Sequence, residues 1–76
     1  MSAQNKKYRQ FLKQLREARA RAGLTQAQAA KRIGRDQTFI SKCESGERRV
    51  DFIELREFAR IYKKPISFFE IGLDDL

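Results

Sequence analysis

Apolar positions early in the chain recur at spacings of three and four: Tyr8, Leu12, Leu15, Ala18 and Ala22, with Phe11 widening the stripe. That period predicts an amphipathic α-helix, and Gly23 stops it. Residues 1–7 are polar and aperiodic, and read as a flexible N-terminal arm. A second segment opens at Thr25, where Gln28 three residues on completes a capping-box pattern. Ala29, Ala30 and Ile33 then fall on one helical face, and Gln28, Lys31 and Arg32 on the other. Gly34 supplies a left-handed stop, and Asp36 is a good N-cap for a third helix. There Phe39, Ile40 and Cys43 form the apolar side, Gln37, Thr38, Ser41 and Lys42 the outward side, and Gly46 ends the run. Asp51 and Glu54 cap a fourth helix, from about Phe52 to Tyr62, with Leu55, Phe58, Ala59 and Tyr62 as its core stripe. Phe52 leads it, and Ile53 and Ile61 sit to one side, weak pointers to an interface. Pro65 starts a last short helix, Ile66 to Ile71, because its missing N–H costs nothing in a first turn. Residues 72–76 read as a fraying tail. The pattern therefore predicts an all-α fold of five helices, one domain over residues 8–71, with no strand signal.

The second and third helices carry the informative chemistry. Small residues let helices cross closely, and a glycine in the short turn between two helices is the helix-turn-helix arrangement. Any soluble helix has a polar outer face, but Gln37, Thr38, Ser41 and Lys42 hold no acid among them. Such short or flexible hydrogen-bonding groups suit the donors, acceptors and methyls that base edges present in the DNA major groove.

Charge points the same way. The formal net charge is +7, but residues 1–49 hold 13 Lys+Arg against 4 Asp+Glu and residues 50–76 hold 4 against 6. The helix-turn-helix lies in the basic half. A basic surface also attracts RNA or acidic membrane, yet neither accounts for the bihelical pattern.

The run GLTQAQAAKRIGRDQTFISKCESGERR, from Gly23 to Arg49, resembles the DNA-binding domain of the phage repressor and Cro type, the Xre-like helix-turn-helix family. The resemblance extends more weakly to about Phe69. Its most specific parts are Gly23-Leu24-Thr25-Gln26, Ala30, Gly34 and the Ile40-Ser41-Lys42 to Glu44-Ser45-Gly46 run. Ala29 and Cys43 depart from it, standing where a larger aliphatic residue is common, so a leaner core is expected. The resemblance implies that helix 37–44 enters the major groove, with Gln37, Thr38, Ser41 and Lys42 at the bases. It also implies an ion pair between Arg19 and Glu44 that braces the recognition helix against the first helix. Arg48 and Arg49, in the loop after Gly46, become phosphate clamps, because a guanidinium matches two phosphate oxygens. Gln26 at a helix N-terminus and Arg35 in the turn are further phosphate contacts.

What remains is exclusion and assembly. No apolar run reaches the ~20 residues a membrane span needs, and no signal-peptide pattern opens the chain. With no histidine and a single cysteine, Cys43, there is no structural zinc site and no internal disulfide; a reducing cytoplasm fits. No cofactor and no small-molecule ligand is expected. No acid pair in an apolar stretch and no phosphate-cradling glycine loop suggests an enzyme. The expected partner is double-stranded DNA, bound by a repressor at a palindromic operator. One recognition helix covers too few base pairs to select a site, so a homodimer is expected. The near-neutral half places its contact at Phe68, Phe69 and Ile71. The rival reading is an antitoxin or restriction-modification controller whose role includes docking a partner protein; the lack of a long tail favours the compact regulator.

Overall fold

The structure, a computed structural model, describes residues 6–70. Among these residues there are four α-helices and one 3₁₀ turn: α1 (Lys6–Arg21), α2 (Gln26–Ile33), α3 (Gln37–Ser45), α4 (Phe52–Tyr62) and the turn Ile66–Glu70. No strand occurs among them. The first helix begins two residues ahead of the apolar stripe, at Lys6.

Local chemistry sets each boundary. The Thr25 hydroxyl accepts from Gln28 N–H while the Gln28 side chain accepts from Thr25 N–H, so both arms of the capping box are made. Gly34 takes φ 78°, and Arg35 N–H donates back to the Ala30 carbonyl, closing α2 with a Schellman turn. Asp36 caps α3 through Phe39 N–H at 3.0 Å, and Asp51 with Glu54 makes a second complete capping box on α4. At the end of α4 the left-handed position falls to a lysine, Lys63 at φ 57°. A residue with a Cβ meets a steric cost there that glycine avoids.

The last element is not the fifth α-helix expected. Phe68 N–H bonds to the Pro65 carbonyl, an i to i+3 closure, and five residues hold only this tighter form. That geometry divides the two phenylalanines. Phe69 turns into the core and packs edge-on near Phe11, whereas Phe68 lies half-buried on the outside. Phe69, 3% exposed, thus belongs to the monomer core and is not left as an exposed apolar side chain. Ile61 is buried as well and is no pointer to an interface; of the two off-stripe isoleucines only Ile53 is exposed. Ile71 lies outside the described residues.

The core is centred on Leu15, Ala18, Ala29, Ile40, Cys43, Phe58 and Tyr62. Ala29 and Cys43 are completely buried, in one core cluster with Phe39, Phe58 and Tyr62. Phe39 stacks on Phe58 at 6.0 Å and Phe58 on Tyr62 at 5.8 Å, a ladder from α3 through α4. The lean helix-turn-helix core is therefore completed by the later half of the chain.

Candidate nucleic-acid interface

The outward face of α3 is open: Gln37, Thr38 and Lys42 are exposed and Ser41 is half-buried. Ser41 Oγ donates to the Thr38 carbonyl at 3.4 Å and Ser45 Oγ to the Lys42 carbonyl at 3.2 Å. A short hydroxyl at these positions leans on its own helix and still keeps lone pairs for a ligand.

Below this face lies a polar network that sets where α3 sits. Glu44, almost fully buried at the C-terminal end of α3, takes Arg19 Nε at 2.6 Å and Nη2 at 3.0 Å. Arg19 Nη1 also donates to the Leu24 carbonyl, so one guanidinium ties α1, the α1–α2 turn and α3. The Glu44 carboxylate raises the Arg19 pKa through that hydrogen bond, and burial opposes it. Gln26 Nε2 donates to Glu44 Oε1 at 3.0 Å, and Gln37 Nε2 reaches Gln26 Oε1 at 3.4 Å. The relay runs Arg19, Glu44, Gln26, Gln37, from the core to the outer face. Gln26 therefore points towards Glu44 and Gln37 and is half-buried, which makes it first a positioning group.

The basic loop differs from the pattern expected of it. Arg48 is not a free clamp: Nη1 and Nη2 each meet a Glu54 carboxylate oxygen at 2.8 Å, and Nη1 also donates to the Arg49 carbonyl. Its charge is answered inside the chain, because loop and α4 N-terminus bring the two side chains face to face. Glu54 is held below the usual carboxylate range chiefly by that hydrogen bond. Arg35 lies over the Phe39 ring at 3.8 Å and 3.9 Å from Glu54. Arg49 is exposed and lies over the Tyr8 ring at 4.2 Å.

Three contributors escaped the sequence pattern. Arg16 Nη1 donates to the Glu44 carbonyl at 3.0 Å, answering one of the open carbonyls at the end of α3. Tyr8 Oη accepts from Val50 N–H at 3.1 Å and so anchors the loop to the start of α1. Glu54 was legible only as a cap. Of the three, Arg16 alone had a signal, its place one turn before Arg19 on the same helix.

No helix among the described residues is long and apolar enough to cross a membrane. A sequence-family model described as a helix-turn-helix domain matches residues 10–65. Among solved structures the chain is similar to an XRE-family like protein from Pseudomonas syringae pv. tomato, at 40% identity and a TM-score of 0.81. That similarity covers 91% of this chain and 84% of the other. No curated protein sequence matches significantly. With the bihelical core, the open α3 face and both likenesses in agreement, the chain belongs to the Xre-like helix-turn-helix family of DNA-binding regulators.

Proposed function

We propose that the chain is a sequence-specific repressor that lays α3 in the major groove of a two-fold symmetric operator. The observation that carries the reading is the acid-free outer face of Gln37, Thr38, Ser41 and Lys42, held in place from behind by Arg19, Glu44 and Gln26. Gln37 near the helix start suits a bidentate pair with adenine, and Lys42 suits the acceptors of guanine. Arg49 and Arg35, both exposed, serve as phosphate contacts beside the groove.

A dimer is part of this reading, with its apolar contact moved to Phe52 and Ile53, the large hydrophobic residues left exposed among the described residues. The same two residues are what a docking protein partner would use, so the antitoxin-like alternative rests on them too. Selection of bound duplexes from a random library, followed by gel shift with purified protein, tests the proposal. Enrichment of inverted repeats with half-site centres about 34 Å apart supports it. Recovery of no preferred sequence overturns it in favour of a protein-docking role.

A further inference from the structure

The Arg48–Glu54 pair sits where a DNA-binding loop would be expected to keep its cations free. A carboxylate offers a guanidinium two oxygens in a plane, much as a phosphate does, and Glu54 takes Arg48 in this fork-to-fork way at 2.8 Å on both arms. Arg35 stands at 3.9 Å from the same Glu54 Oε2. Two arginines therefore share one acid beside the recognition helix, and the trio carries one net positive charge where its arginines alone would carry two.

We propose that Glu54 acts as an internal competitor with DNA phosphate, holding Arg48 in the free protein and thereby restraining sequence-independent affinity. The inference rests on the DNA-binding reading above. Exposure permits the exchange: the Arg48 side chain is 40% accessible and that of Arg35 46%, so a phosphate reaches either without unfolding the loop. The pair is open to water on its arginine side and shielded at Glu54, whose side chain is 15% accessible, so exchange exposes little new surface, and a phosphate contact also releases a condensed counterion. On release Arg48 keeps two supports, the Phe39 ring at 5.0 Å and the Arg49 carbonyl. Restraint of this kind serves selectivity. Every phosphate contact tightens binding to all sequences alike, while base contacts distinguish among them.

Glu54 also completes the α4 capping box by accepting from Asp51 N–H at 3.1 Å. Glutamine serves equally at that position, so Glu54→Gln removes the charge and keeps the cap. Binding of a random-sequence duplex by wild type and E54Q is measured by fluorescence anisotropy from about 50 to 200 mM salt. The variant is expected to bind roughly 3- to 10-fold tighter at about 100 mM, with a log–log salt slope steeper by about 0.9, one further phosphate. In R48Q/E54Q the gain is expected to vanish. An unchanged slope in E54Q overturns the inference, and so does a gain that survives in the double variant, since Arg48 is then not the group released.

Should E54Q fail to fold, the wild-type chain still decides. The Arg48 Nε–Hε resonance shifts on titration with duplex if the arginine changes partner, and a resonance that stays put while other loop signals move overturns the exchange. Failure of the DNA reading itself looks different: the wild-type chain then binds no duplex at any salt concentration.

Discussion

Arg19 and Glu44, 25 residues apart, meet through two guanidinium nitrogens at 2.6 and 3.0 Å, with only 4% of the Glu44 side chain accessible. Removing one partner leaves the other's charge in a dry site. Arg19→Met is expected to destabilise the fold by about 3 kcal/mol, the lower end for a buried pair because Arg19 is 20% accessible. Urea unfolding of R19M, E44L and the double variant checks this, and the double should recover much of the loss. A coupling energy of zero would show that the pair braces nothing.

Gln37 does not stand alone at the front of α3, since its amide reaches Gln26, which in turn holds Glu44. Gln37→Ala is expected to cost about 1–3 kcal/mol on the preferred operator and to relax the base at its position. Gln26→Ala should lose part of that same discrimination, and the double variant less than the sum of the two. Titrations against the preferred duplex and its single-base variants measure all three. Equal losses on preferred and random DNA would reduce Gln37 to a backbone contact.

The caps and turns were legible because they are local. Thr25 with Gln28, Asp36, and Asp51 with Glu54 each answer N–H groups within three residues, and the glycines at 34 and 46 mark their own left-handed positions. Which face a short element buries was not legible. Five residues from Ile66 hold too little period to separate Phe68 from Phe69, and only the 3₁₀ closure on Pro65 divides them. Ile61 sits off the α4 stripe in sequence, yet contacts of α4 with α1, α2 and the last turn cover more than one of its faces. The site shows the same divide. The outer face of α3 follows from periodicity, while the Arg19–Glu44 pair came only from family resemblance. Arg48 meeting Glu54, and Tyr8 meeting Val50, depend on how the loop folds over α4 and α1.

Tyr62 carries a buried hydroxyl with no hydrogen-bond partner among the described residues. An unpaired buried donor costs its desolvation and returns nothing. Tyr62→Phe is therefore expected to leave stability unchanged or raise it by up to about 1 kcal/mol, read from the urea midpoint. Burial also drives the phenol well above its ordinary value of 10.0, so the folded state holds it neutral. That contribution is complete below pH 10.0 and is lost as pH rises beyond it, because the unfolded phenol ionises first. Wild type should lose more stability than Y62F above that pH; parallel curves would show the hydroxyl to be solvated.

Glu54 gives the acid counterpart. Arg48 holds its carboxyl below the ordinary 4.5, with desolvation opposing and the Asp51 backbone and Arg35 adding to the effect. A depressed folded value stabilises the native state above pH 4.5, and that stabilisation is lost as pH falls through the folded value. Thermal melts between about pH 7 and 2 should show a steeper acid decline in wild type than in E54Q. Identical declines would mean that the pair opens freely in solution.

Phe52 and Ile53, 61% and 65% exposed at the start of α4, are where a second copy is expected to dock. Phe52 borders an apolar groove of about 430 Å³ that Tyr8, Phe11, Val50, Leu55 and Ile66 also line. Lys7, Arg49, Asp51 and Glu70 also line it, and a surface carrying both signs can meet its own copy about a two-fold axis. Phe52→Asp with Ile53→Asp should leave the helical content and a single half-site contact intact, and remove cooperative binding to the inverted repeat. The expected loss is about 10-fold or more in full-site affinity, since the second subunit no longer binds at raised effective concentration. Gel shifts on full and half operators, with sedimentation of the free protein, provide the measurement. A variant that still fills both half-sites in one cooperative step would move the subunit contact to another face.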